Sequence, residues 1–153
     1  MRLVHFSREP LTEVHAVEQK DMPRDGFAPK PRGLWVSDED AEQSWSSWCA
    51  DEMADWMVGT TAYGITLAKD ARLLVIGDSQ GIDDFHRLYS EPGIGRSYFV
   101  DWPAVAARFQ GIIITPYVWE RRLSEVSWYY PWDCASGCIW DTAAIAGVEQ
   151  VKP

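Results

Sequence analysis

The chain has 153 residues, of which 46% are hydrophobic and 24% are charged, and it carries nine tryptophans. This length suffices for one domain with a hydrophobic core and is short for two, so we expect a single globular domain over residues 1–153. The net charge of −9 opposes extended binding to nucleic acid, which requires clustered Lys and Arg.

The cysteines and the N-terminus bear on the compartment. Cys49, Cys134 and Cys138 are an odd set without C-x-x-C spacing, which disfavours both a disulfide framework and a common zinc motif. The N-terminus, MRLVHFSREP, has no signal-peptide pattern, and no apolar run approaches the roughly 20 residues of a membrane span. We therefore expect a soluble, cytoplasmic protein with free thiols, no metal and no membrane contact.

Two short strands are predicted near the N-terminus. Residues 2–7 alternate in polarity, which places His5 and Ser7 on one face of the first strand. Residues 34–37 form the second strand, which the chain enters through a turn at Gly33.

A long loop is predicted between these strands. Residues 8–32 are rich in proline and charge and have little hydrophobic pattern, with a short helix expected near residues 11–19. The loop is long enough to act as a lid over a site.

A helix and a hairpin are predicted next. Ser44 is an N-cap candidate for a helix whose apolar residues recur at helical spacing from Trp45 to Trp56, and we expect this stripe to lie in the core. Residues 60–67 and 72–76 have strand composition, and the turn-like residues 69–70 between them predict a hairpin.

The second half of the chain predicts two helices and three strands. The helices cover residues 82–89 and 101–109, and the strands cover 111–115, 127–133 and 138–140. Helices do not alternate regularly with strands, so the pattern predicts an α+β fold. We expect a mainly antiparallel, twisted or split sheet of about six or seven short strands with two or three helices.

The segment from Trp128 to Trp140, WYYPWDCASGCIW, has the highest density of aromatic and reactive side chains in the sequence. Five aromatic residues surround Asp133 there, and buried Trp and Tyr side chains each need a hydrogen-bond partner. Such clustering favours a shaped, partly polar pocket in which Asp133 is the first candidate functional residue. The other interpretation is a pair of core strands with a surface aspartate at their turn.

Several common catalytic motifs do not match. Gly93-Ile94-Gly95 lacks the third glycine of a dinucleotide fingerprint and follows no clear strand. Ser136 lies in Ala-Ser-Gly and not in G-x-S-x-G, which disfavours a serine hydrolase.

Three segments, taken in order, carry a resemblance to a known family. They are His5-Phe6-Ser7, the stretch from Lys30 to Ser37 (KPRGLWVS) and the final aromatic block. Together they resemble the NAD-binding core of ADP-ribosyltransferases. The final block, W-D-x-A-S-G-C-I-W, also resembles the ends of small uncharacterised bacterial or phage proteins, which implies no settled activity.

The resemblance implies a triad of His5, Trp35 and an acid, which is either Asp133 or Glu120. The family usually has Tyr or Ser-Thr-Ser on the second strand and Glu as the acid, so this chain departs from the pattern at both positions. The acid would stabilise positive charge that develops on the ribose when the nicotinamide bond breaks.

The resemblance also implies residues that bind the NAD substrate. Nicotinamide would stack on Trp35 or Trp132, and ribose hydroxyls would bond to His5 and Ser37, with Ser7 on the same strand face as His5. Arg32 would meet the pyrophosphate.

Two functions follow from these residues. The first is an enzyme that transfers ADP-ribose from NAD to an unidentified acceptor, expected to be a protein, or that hydrolyses NAD. The second is a non-catalytic, acidic interaction protein that binds a protein or a sugar through a Trp- and Tyr-rich surface. An enzyme would hold its aromatic residues around a concave pocket with Asp133 and His5, whereas an interaction protein would display them on an exposed patch.

Overall fold

The computed structural model describes residues 1–20, 30–93, 95 and 97–152. Within them the chain forms an α+β fold with nine strands and four α-helices, and the strands form a mostly antiparallel mixed sheet and a small hairpin. No helix in this part of the chain is long and apolar enough to cross a bilayer.

The strands in chain order are β1 (Leu3–Ser7), β2 (Leu34–Asp38), β3 (Thr61–Leu67), β4 (Leu73–Ile76), β5 (Ser90–Pro92), β6 (Tyr98–Val100), β7 (Gly111–Ile114), β8 (Ser136–Ile139) and β9 (Ile145–Val151). The α-helices are α1 (Trp45–Glu52), α2 (Ser79–Tyr89), α3 (Trp102–Ala106) and α4 (Trp119–Arg122). Three-residue and four-residue 3-10 helices cover Ala54–Met57, Ser127–Tyr129 and Thr142–Ala144.

The main sheet has seven strands in the order β4-β7-β8-β2-β1-β3-β9. Only the edge pair β4 and β7 is parallel, and the crossover between them contains α2 and α3. The strands β5 and β6 pair separately as an antiparallel hairpin.

Because side chains alternate along a strand, the register sorts the buried residues onto two faces of the sheet. One face packs against the helices, and this larger core includes Ile76, Ile82, Phe85, Trp102, Val105, Ile112, Ile114 and Cys138. The opposite face carries the smaller core, formed by Leu3, Leu34, Val36, Ile65, Ile113, Ile139 and Ala144. Both faces of β7 are therefore covered, which explains why all four of its residues are buried without polar alternation.

The buried carboxylate of Asp38 ties the end of β2 to its neighbours. It accepts hydrogen bonds from the Arg2 backbone N–H (3.0 Å) and from the Thr115 hydroxyl (2.7 Å). The side chain is only 5% exposed, and a buried carboxylate needs such donors to offset its lost hydration. Asp38 thus fixes β1 and the chain after β7 at one end of β2.

Several predicted elements are confirmed with small changes in their bounds. Ser44 caps α1 by accepting a hydrogen bond from the Ser47 backbone N–H, and α2, α3 and β7 lie where the periodicity places them. The predicted numbers of six or seven strands and two or three helices were low, since the described residues contain nine strands and four α-helices.

The predicted hairpin of residues 60–67 and 72–76 is wrong. Both segments are strands, but β3 pairs with β1 and β9, whereas β4 pairs with β7 at the other edge of the sheet. The turn residues are present in the sequence, but long-range pairing decided which strands became neighbours.

Two other local predictions are also wrong. The aromatic segment 127–133 is not a strand, because Ser127–Tyr129 is a 3-10 helix and turns follow it. No helix forms at residues 11–19, where the chain is irregular and its Val17 N–H bonds to the Trp140 carbonyl. Aromatic residues have high strand propensity on a pleated surface, but here they fill the space between helices and sheet.

The apolar stripe from Trp45 to Trp56 is not a core stripe, and it extends past the end of α1 at Glu52. Of its members only Cys49 is buried, while Met53 is 43% exposed and Trp45, Trp48 and Trp56 are half-buried. These indoles are available to form the wall of a cavity.

The substitution Gly137→Ala tests how tightly the centre of the sheet is packed. A Cβ there would lie 2.2 Å from the Ile112 carbonyl oxygen, and strands on both sides prevent it from moving away. We expect Gly137→Ala to lower the free energy of unfolding in urea by at least the ~1–3 kcal/mol typical of overpacking. The matched control is Gly147→Ala, whose Cβ would meet Thr66 at an ordinary 3.8 Å, and equal effects of the two changes would contradict this packing.

Candidate functional site

The site begins where β1 and β2 separate. Their register pairs Leu3 with Asp38 and Val4 with Ser37, and it stops there. Each strand continues its pairing on the outer side, β1 with β3 as far as Ser7 and β2 with β8 as far as Leu34. The two strands therefore form the sides of a gap in the sheet.

A cavity of about 390 Å³ lies at this gap. It is lined by Val4, His5 and Phe6 from β1, by Trp35, Val36 and Ser37 from β2, and by Lys30, Trp45, Trp56, Asp133, Cys134 and Ser136. The lining combines indole rings with a few charged and polar groups, which is the usual composition of a small-molecule site.

Three indoles form most of the aromatic wall. The rings of Trp45 and Trp56 are perpendicular with centroids 5.1 Å apart, and Trp48 stacks on Trp45 from outside the cavity lining. Arg8 holds Trp56 by a hydrogen bond from Nη2 to its carbonyl (3.1 Å) and by a cation–π contact. Trp35 packs edge-on against the fully buried Trp132 at 5.0 Å. Such packing fixes the orientation of the rings that line the cavity.

The side chain of Lys30 lies against these rings. Its Nζ is 4.8 Å from the ring centroid of Trp35 and 5.8 Å from that of Trp132. Burial lowers the pKa of Lys30, while the nearby Asp133, Cys134 and Cys138 oppose this shift. The lowered pKa means that desolvation outweighs the acidic neighbours.

Asp133 is held from behind by Arg122. The Arg122 Nη2 lies 3.0 Å from Asp133 Oδ1, and the two side chains are only 22% and 28% exposed. The guanidinium is itself fixed between Trp119 and Tyr130, at 5.7 Å from each ring centroid. This contact orients one oxygen of the Asp133 carboxylate and leaves Oδ2 as the second acceptor.

His5 bridges the gap between the two strands. Its Nδ1 lies 2.7 Å from the Trp35 carbonyl oxygen. Because a carbonyl only accepts hydrogen bonds, Nδ1 carries the hydrogen, and Nε2 of the neutral ring is an acceptor. The strand separation thus places an imidazole acceptor at the cavity.

The two hydroxyl groups of the lining are hydrogen-bonded to the backbone, and the pKa of its thiol is raised. Ser37 Oγ accepts from the Trp45 backbone N–H (2.8 Å) and donates to the Ala135 carbonyl (3.4 Å). Ser136 Oγ donates to the Cys134 carbonyl (3.0 Å). Burial raises the pKa of the Cys134 thiol to about 11, so it is protonated near neutral pH and is a poor nucleophile.

Four of the predicted site residues line the cavity together: His5, Trp35, Ser37 and Asp133. Trp132 lies behind Trp35 and is fully buried.

The other three predicted residues do not line it. Ser7 accepts a hydrogen bond from Glu9 N–H, and Arg32 is exposed while its backbone pairs with Gln19. Glu120 is exposed on α4. Of the predicted lid, residues 21–29 lie outside the described residues.

Sequence reasoning missed Lys30, Trp45 and Trp56 as site residues. The two indoles lie at helical spacing with Cys49, which is the same signal that a core stripe gives. Lys30 lies four residues before the second strand, and only the fold shows that it lines a cavity together with Asp133.

Neither a metal site among the residues that the structure describes nor a similar known protein accompanies this cavity. Within the described ranges, no group of three or more His, Cys, Asp and Glu side chains is placed to hold a metal ion. Comparison with models of protein families, with curated proteins and with solved structures found no match.

Ser37→Ala tests whether that hydroxyl is structural. Its loss leaves the Trp45 N–H without its acceptor, so we expect the free energy of unfolding to fall by about 1–3 kcal/mol. Ser7→Ala is the matched control, with an expected change within ~0.5 kcal/mol because Ser7 bonds at an exposed site. Equal urea denaturation midpoints for the two variants would contradict a structural role for Ser37.

Proposed function

We propose that the protein binds NAD in this cavity and cleaves the bond between nicotinamide and ribose, passing ADP-ribose to a protein acceptor or to water. The observation that carries the proposal is that His5, Trp35 and Asp133 line one cavity although they are far apart in sequence. These three positions match the triad that the resemblance to ADP-ribosyltransferases implies.

Asp133 would stabilise the charge that develops during the reaction. Nicotinamide leaves with the bonding electron pair as a neutral molecule, and positive charge grows on C1 of the ribose. A fixed carboxylate beside that carbon lowers the barrier because its charge is already oriented. Among the described residues that line the cavity, Asp133 is the one carboxylate, which favours it over Glu120 as the acid.

The aromatic wall suits the nicotinamide end of NAD. In NAD this ring is flat and cationic, so it gains both stacking and cation–π attraction from indoles such as Trp45 and Trp56. At about 390 Å³ the cavity is at the small end of the ~300–1,000 Å³ of ligand sites. The nicotinamide and its ribose would therefore lie inside, and the adenosine half would lie outside.

His5 would orient the ribose. A neutral imidazole that donates from Nδ1 to the Trp35 carbonyl accepts at Nε2, and a ribose hydroxyl is a suitable donor. Arg32 has no part in the proposal, because its side chain does not line the cavity.

Asp133→Asn tests the proposal by the release of nicotinamide, followed by NMR with NAD as the substrate. We expect release to fall about a hundredfold or more, because the amide retains the shape of the side chain and loses its charge. Asp84→Asn is the matched control, since Asp84 also pairs with an arginine at 3.1 Å and lies on α2 away from the cavity. Glu120→Gln is expected to retain activity.

Thermal shift with NAD separates binding from chemistry in the same variants. Asp133→Asn should still be stabilised by NAD if its fold and its aromatic wall are intact. Equal nicotinamide release by wild type and Asp133→Asn would refute the role of Asp133. Wild-type protein that shows neither stabilisation nor release would refute NAD as the substrate.

One observation favours the second candidate, a non-catalytic interaction protein that binds a protein or a sugar. Trp119, Leu123 and Tyr130 are 58%, 79% and 45% exposed around Arg122. Aromatic side chains near an arginine are typical of binding hot spots. Binding through this surface becomes the leading candidate function if NAD neither stabilises the protein nor releases nicotinamide.

A further inference from the structure

Lys30 is an amine placed in a small-molecule cavity. Its Nζ lies against the faces of Trp35 and Trp132, and Lys30 lines the cavity together with Asp133. The chain has three other lysines, Lys20, Lys69 and Lys152, and all three are exposed. Lys30 is thus the one lysine whose amine is enclosed by aromatic rings beside a carboxylate.

The surroundings favour the uncharged amine more than water does. Burial lowers the pKa of Lys30, and the acidic groups that face it, Asp133, Cys134 and Cys138, only partly oppose this. An uncharged amine in a desolvated, apolar pocket is the form that attacks carbonyl carbon. An ordinary exposed lysine is almost entirely protonated near neutral pH, so it forms imines more slowly.

We propose that Lys30 is a nucleophile that captures small aromatic aldehydes in this cavity as Schiff bases. The indole walls would hold the flat ring of the aldehyde by stacking, with its carbonyl carbon toward Nζ. The inference does not rest on NAD as the substrate, because it requires only the cavity and its amine.

The chemistry balances without an additional reagent. The Nζ lone pair forms a C–N bond to the carbonyl carbon, and one amine proton passes to the carbonyl oxygen, which gives a carbinolamine. The carbinolamine then loses its hydroxyl group and the remaining amine proton as one water molecule, and a C=N bond forms. Asp133 lines the same cavity and would carry a proton between these groups through Oδ2, because Oδ1 is the oxygen that pairs with Arg122.

The test uses the full chain with benzaldehyde as the probe, and sodium cyanoborohydride to trap the imine as a stable amine. Peptide mass spectrometry then measures the adduct at each of the four lysines. We expect the adduct at Lys30 to form first and to exceed that at Lys20, Lys69 or Lys152. Unfolding in urea should remove the preference, because it removes both the cavity and the desolvation.

Lys30→Arg is the control variant. Arginine can lie against the same indoles and cannot form the imine, so we expect the fold to be kept and the early adduct to be lost. Circular dichroism checks that the variant is folded. The proposal would be overturned if Lys30 in the folded wild type were labelled no faster than the exposed lysines. It would also be overturned if the Lys30→Arg variant formed an equally early adduct at another lysine.

Discussion

The separation of β1 from β2 after the Val4–Ser37 pair is the constraint on which the rest of the site depends. Paired strands leave no room between them, so a ligand-sized space in a sheet needs two neighbouring strands that diverge. The closed end is held by the buried Asp38, and the outer edges are held by the ladders to β3 and β8. The lost backbone pairing is partly replaced by the bond from His5 to the Trp35 carbonyl, which holds the imidazole at the gap.

Eight of the nine tryptophans divide into groups with different physical roles. Trp102, Trp128, Trp132 and Trp140 are buried and fill the space between the helices and the sheet, where large rings supply much of the apolar area. Trp35, Trp45 and Trp56 line the cavity, and Trp48 supports Trp45 by stacking. Each indole of the wall packs against another indole, Trp35 against the buried Trp132 and Trp45 against Trp56, which restricts its orientation.

Charge inside the cavity is sparse, and it is balanced locally in a chain of net charge −9. Asp133 pairs with Arg122 and lines the cavity together with Lys30, so the carboxylate keeps a partner even where water is reduced. Arg122 remains charged under all ordinary conditions, whereas an amine such as Lys30 can lose its proton when it is desolvated. The cavity therefore joins an oriented carboxylate to an amine whose pKa burial lowers.

Local sequence by itself determined most of the elements, because hydrophobic periodicity and capping act over a few residues: β1, β2, α2 and β7 lie close to their predicted positions, and Ser44 caps α1. It also singled out His5, Trp35, Ser37 and Asp133, which line one cavity. Tertiary structure alone decided that β4 pairs with β7 and not with β3, since strand pairing depends on burial across the whole sheet. It likewise brought Lys30, Trp45 and Trp56 into the lining of the cavity that contains Asp133, because a side chain's surroundings are set by residues far away in the chain.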